Sequence, residues 1–85
     1  MEIKKKLIEA HKYSASNREV QEKSVLCGCF YCLKRFPPTE IKDWIWDKGG
    51  ETALCPFCGI DSVLGDSSGY PITEEFLSRM KEYWF

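Results

Sequence analysis

Two Cys-x-x-Cys pairs, Cys29-Phe30-Tyr31-Cys32 and Cys55-Pro56-Phe57-Cys58, flank the 22-residue stretch from Leu33 to Leu54 in a chain of 85 residues. Two residues between paired cysteines let the backbone form a knuckle that aims both sulfurs at one point, so two knuckles can close a tetrahedral shell around one ion. The intervening stretch is long enough to run out, turn and return, which sets the second knuckle beside the first. Cys29, Cys32, Cys55 and Cys58 are therefore the expected ligands of one structural zinc ion (Zn2+). At this length an apolar core gives a thin stability margin. A structural zinc site contributes roughly 10 to 16 kcal/mol of apparent binding energy in peptide models, so metal and fold are expected to be inseparable.

Cys27 is the odd thiol, in the run Cys27-Gly28-Cys29. It reads as a small buried residue beside the knuckle, with an alternative ligand or a reactive thiol as the other options. Gly59, directly after the second pair, suits a knuckle because glycine adopts the left-handed backbone that lets amides approach the sulfurs. His11 is the only histidine and lies well before Cys29. A nuclease of the HNH type can keep four structural cysteines, but it needs a histidine close to its catalytic metal as general base. Four thiolates also leave no open position for a hydrolytic water. Asp61 and Asp66 sit among Gly59, Gly65, Ser67 and Ser68 and read as turn and capping residues. No catalytic residue is assigned, and enzymatic activity is left open with the weight against it.

Along the chain, Ile3, Leu7, Ile8 and His11 recur on one side of a helix from Glu2 to about Lys12. Ser16 and Glu19 have capping-box spacing ahead of a second short helix over Val20 to Lys23. Short strands are expected on both sides of the first knuckle, at Val25-Leu26 and Leu33 to Phe36. Thr39 caps an expected short helix carrying Ile41, Trp44 and Ile45 at helical spacing. Asp47-Lys48-Gly49-Gly50 is a turn, and Thr52-Ala53-Leu54 a strand entering the second knuckle. Gly59 to Gly69 carries no firm assignment. Thr73 caps a last helix, with Glu74 and Glu75 in its first turn and Phe76, Leu77, Met80, Tyr83 and Trp84 as one apolar stripe. The fold class is a small α+β domain over 1–85: a helical segment at 1–24, a metal-binding core at 25–64 and a C-terminal helix at 72–85. Treble-clef and zinc-ribbon-like arrangements both fit; they differ in whether the helix starts at the second knuckle or only near Thr73.

Twelve basic and thirteen acidic side chains give a formal charge of -1, which lacks the overall basicity of a dedicated nucleic-acid binder. No apolar run approaches the ~18 residues of a membrane span. Lys4-Lys5-Lys6 is not followed by the apolar stretch and cleavage site of a secretory signal. An odd number of cysteines in two metal-type pairs plus one suits a reducing compartment better than a disulfide scaffold. The expectation is a soluble, cytoplasmic protein without a membrane partner.

Cys55-Pro56-Phe57-Cys58-Gly59 resembles the knuckle of rubredoxins, which hold one iron on four cysteines and transfer single electrons, and which many zinc ribbons share. Leu33 stands where the other rubredoxin knuckle usually places a glycine, so iron is kept only as a minor alternative. More widely, Cys27-Gly28-Cys29-Phe30-Tyr31-Cys32, Cys55 to Val63, Gly69-Tyr70-Pro71-Ile72-Thr73 and Tyr83-Trp84-Phe85 resemble the motifs of a family of small bacterial proteins described only as cytoplasmic. That resemblance implies a bacterial cytoplasm and transfers no activity. The function read from the residues is a non-enzymatic zinc-stabilised module that binds a protein partner or itself. Trp44, Trp46, Tyr70, Tyr83, Trp84 and Phe85 are the candidate contact residues. The alternative is nucleic-acid binding through Lys4, Lys5, Lys6, Lys34, Arg35 and Lys42; electron transfer comes third.

Overall fold

The computed structural model describes residues 2–47 and 49–85. Its elements in chain order are α1 (Glu2–His11), α2 (Arg18–Lys23), β1 (Cys27–Cys29), β2 (Arg35–Phe36), β3 (Trp44–Asp47), β4 (Gly50–Ala53), β5 (Val63–Gly65) and α3 (Glu74–Trp84). β1 lies between β2 and β5 in an antiparallel three-stranded sheet, while β3 and β4 form a separate antiparallel hairpin. The fold is thus α+β, with both knuckles next to short strands. The last helix begins only at Glu74, far beyond the second knuckle, which makes the arrangement ribbon-like rather than a treble clef.

Strand alternation divides the interior in two. Cys27, Cys29 and Val63 point to a core shared with Phe36, Ile41, Ala53 and Cys55, and Cys32, Cys58 and Trp44 pack at its margin. Phe30 and Leu64 belong to the other core, with Leu7 and Ala10 of α1 and Phe76, Leu77 and Met80 of α3. Gly28 faces this second side, where an added Cβ would sit 2.8 Å from both Ile72 and Leu77. The missing side chain is what lets α3 lie so close to the central strand. No helix among the described residues is long and apolar enough to cross a membrane.

Thr73 caps α3 as its sequence position predicts, its Oγ1 accepting the Phe76 amide at 3.1 Å. Phe76, Leu77 and Met80 are buried, whereas Tyr83 and Trp84 at the end of the stripe remain partly in solvent. In α1 the buried face is Leu7 and Ala10, and Ile8, expected inside, is exposed.

Three local expectations do not survive. The strand expected at Val25-Leu26 starts only at Cys27, and Val25 is exposed. The helix expected from Thr39 is a single 3₁₀ turn over Pro38–Glu40, and Trp44 and Ile45 lie in β3 instead. The run Trp-Ile-Trp favours strand, and the hairpin partner supplies what the helix lacks: Trp44 pairs with Ala53, Ile45 with Thr52 and Trp46 with Glu51. Gly49, at a φ of 83°, occupies the left-handed backbone that such a tight turn requires; Lys48 of the expected turn lies outside the described residues. The Ser16 capping box is also replaced. Asn17 occupies the cap position of α2, which starts at Arg18, and its side chain makes no cap hydrogen bond.

Asn17 is occupied elsewhere. It is 1 % exposed, and its Nδ2 donates to the Tyr13 carbonyl at 2.8 Å and to the Val63 carbonyl at 3.2 Å. Its Oδ1 accepts the Ala53 amide at 3.0 Å. One buried amide therefore ties the N-terminal segment to the three-stranded sheet and to the hairpin. Gln21 reinforces it, donating to the same Val63 carbonyl at 3.0 Å.

Candidate metal centre

The Cys29, Cys32, Cys55 and Cys58 sulfurs all lie within 4.8 Å of one another. Across the knuckles, Cys29 Sγ is 3.6 Å from Cys58 Sγ and Cys32 Sγ is 3.6 Å from Cys55 Sγ. A regular tetrahedron with metal-sulfur bonds of about 2.3 Å has edges of roughly 3.8 Å. The sulfurs therefore fit one ion and are far outside disulfide bonding distance. All four residues named from the spacing are brought together.

The two knuckles repeat one backbone pattern. The Cys29 amide donates to the Lys34 carbonyl and the Leu33 amide to the Cys29 carbonyl; the Cys55 amide donates to Ile60 and the Gly59 amide to Cys55. Leu33 and Gly59 hold equivalent places, and both have positive φ, 67° and 80°. The geometry thus demands a left-handed residue after each pair, and the first knuckle meets that demand with leucine at a conformational cost. Leu33 offsets part of it by packing against the α1–α3 core. No added Cβ at Gly59 would meet an atom within 4 Å, so only the backbone opposes a side chain there. Gly59→Ala is expected to lower stability by about 1 kcal/mol in denaturant titrations of the metal-loaded protein, without loss of metal stoichiometry.

Backbone amides converge on the sulfurs. Cys29 Sγ accepts from the Tyr31 amide at 3.3 Å and the Cys32 amide at 3.5 Å, and Cys55 Sγ accepts from the Phe57 amide at 3.4 Å. The buried Ser62 hydroxyl lies 3.0 Å from Cys29 Sγ, a contact with no signature in the cysteine spacing. Burial opposes ionisation of Cys29, but the Ser62 hydroxyl and then the Cys32 and Tyr31 amides outweigh it and hold this thiol below its ordinary value. Burial pushes Cys32 up, and Cys58 up to about 12. Four adjacent thiolates ionise together only when a cation compensates them, and these donors spread the charge that remains.

Cys27 stands outside the shell. It is fully buried on β1 and its thiol donates to Gln21 Oε1 at 3.1 Å. Burial, with a smaller contribution from Asp66, raises it from 9.0 to about 12. An unfolded chain releases this proton near the ordinary value and the native state keeps it, so the stabilisation is complete below about 9 and is lost as pH rises toward 12. In native, metal-loaded protein at pH near 8, Cys27 is expected to stay unmodified by iodoacetamide when mapped by mass spectrometry. Alkylation at the rate of a free thiol would contradict this placement.

His11, Asp61 and Asp66 do not form one centre. Asp66 Oδ1 accepts the Val25 amide at 2.9 Å, a turn-fixing role. The His11 ring lies 3.9 Å from that of Trp84 and 6.0 Å from Phe30. His11 and Asp61 share a cleft of about 270 Å³ but neither belongs to the sulfur group. No protein-family model, curated protein sequence or solved structure matches the chain.

Proposed function

We propose that the chain is a non-enzymatic zinc-stabilised module of the bacterial cytoplasm whose surface binds another protein. The observation that carries this reading is the set of large rings left in solvent beside two filled cores. Trp46 is 75 % exposed, Phe85 61 % and Phe57 52 %, with Tyr31 and Tyr83 also at the surface. Such rings bury large areas at low entropic cost when a partner covers them. Trp44 and Tyr70, also expected as contacts, are half-buried: Trp44 at the margin of the metal-side core and Tyr70 against Phe76. The four-sulfur shell supports a structural role, since a filled shell offers no position for water or substrate. Zinc is favoured over iron because the shell is expected to do no redox work; a colourless preparation with one equivalent of zinc supports this, and an intense visible colour from the native host would point to iron.

The test is co-purification from native cytoplasm with metal analysis of the same sample, comparing wild type with Trp46→Ala and Phe57→Ala. The reading expects a defined stoichiometric partner that at least one variant loses while keeping its metal. A protein that gives no partner, or whose retained proteins ignore both substitutions, would overturn it. Self-association through the Trp84-Phe85 end is one form of the same reading, and a monomer at high concentration in sedimentation would exclude that form. A nucleic-acid reading draws on two lysines placed over exposed rings, Lys34 Nζ at 5.5 Å from Phe57 and Lys81 Nζ at 5.2 Å from Tyr31. It requires affinity that falls steeply with salt, and no binding at low salt removes it.

A further inference from the structure

We propose that the cleft between the C-terminal aromatic pair and the loop after the second knuckle receives an arginine side chain of a partner protein. The inference rests on the protein-binding reading and names the chemistry that one part of that surface recognises. The cleft, about 270 Å³, is walled by Phe30, Trp84 and Phe85 together with His11, and among the described residues that line it Asp61 is the acidic one. Its aromatic walls are held in place. Trp84 Nε1 donates to the Leu7 carbonyl at 3.1 Å and its ring lies against His11, while the Phe85 ring sits 5.8 Å from Phe30 and 4.9 Å from Tyr31. A site whose walls are already fixed loses little freedom on binding.

Asp61 supplies the second element. It is exposed, and among the described residues it makes no ion pair or side-chain hydrogen bond. Ring faces attract cations through their quadrupole, and a carboxylate beside them adds charge complementarity. The chain uses this combination internally. The Arg18 guanidinium lies 4.8 Å from the Trp44 ring centroid and is held by Glu22 and Glu51, each at 2.9 Å. An indole and a carboxylate recur at the cleft without the guanidinium. Arginine fits better than lysine because its planar fork stacks on a ring while donating two parallel bonds to a carboxylate. Lys81, the nearby cation over Tyr31, does not line the cleft.

The probe is a short blocked Gly-Arg-Gly peptide titrated into zinc-loaded, isotopically labelled protein, followed by amide and indole resonances. Shifts are expected at the Trp84 indole and at the Asp61 and Phe85 amides. The neutral citrulline peptide should bind about tenfold more weakly, and Asp61→Asn should weaken the arginine peptide about fivefold with metal content unchanged. Phe85→Ala, a change at an exposed ring, should weaken it comparably. Equal binding of citrulline or lysine peptides, an unaffected Asp61→Asn protein, shifts confined to another surface, or larger shifts at these resonances with a mononucleotide would each overturn the assignment. A protein that takes the peptide but retains no cellular partner overturns the protein-binding reading and leaves the site. One that retains a partner but ignores the peptide does the reverse.

Discussion

Cys29→Ser protein is expected to purify metal-poor and without a cooperative melting transition. A serine oxygen is a poor fourth ligand for a soft site, and the loss is comparable to the whole margin of a small domain: roughly 10 to 16 kcal/mol of apparent metal binding against a typical stability of about 5 to 15 kcal/mol. Cys29 is the most demanding of the four positions. It is fully buried, lies on the central strand of the sheet, and its sulfur accepts from two amides and faces Ser62. The substitution therefore removes a ligand and replaces the large sulfur acceptor on which the two amides converge with a smaller oxygen on a shorter bond. Metal analysis by mass spectrometry and near-ultraviolet circular dichroism provide the measurement. A Cys29→Ser variant that stays folded with one full equivalent of metal would show that the shell is not a closed set of these four cysteines. Cys58→Ser, at a more exposed ligand, should lose metal as well.

The second large effect lies away from the metal. Asn17→Ala is expected to cost about 3 kcal/mol, since it leaves the Ala53 amide without its acceptor in a buried place and withdraws donors from the Tyr13 and Val63 carbonyls. For a domain of this size that corresponds to a fall in melting temperature of roughly 15 °C, measured at saturating zinc. Asn17→Asp separates the contributions. It keeps an acceptor for Ala53 but sets carboxylate oxygen against two carbonyls and buries a charge, so it should be worse than alanine. A change under about 0.5 kcal/mol for either variant would show that the three links to Asn17 are not holding the N-terminal segment on the sheets.

These two residues also mark what could be read in the sequence. The ligand set was legible because metal geometry imposes a strict local spacing, and the last helix because Thr73, two glutamates and an apolar stripe agree. Ile41, Trp44 and Ile45 share helical spacing by coincidence; β3 forms because β4 returns beside it, and pairing across a turn carries no periodic trace in one strand. Asn17 looks like any turn former until Tyr13, Ala53 and Val63 converge on it. Ser62 was hidden likewise, since a hydroxyl near a sulfur is a product of β5 pairing with β1. The lack of room for a Cβ at Gly28 arises only once α3 has docked. Contacts within a few residues write patterns; contacts made by closure do not.

The hairpin between the knuckles has a kinetic meaning. Cys32 and Cys55 are 23 positions apart, yet β3 and β4 pair in register and the Leu54 amide extends the ladder to the Asp43 carbonyl. Once this local turn has closed, the span left to organise before the sulfurs meet is the short run from Leu33 to Lys42. Closing entropy grows with the logarithm of loop length, so shortening the loop by about half spares roughly 0.6 kcal/mol of search. The ion then meets two half-sites already near each other, and capture becomes a local event instead of the step that must draw in the whole intervening chain.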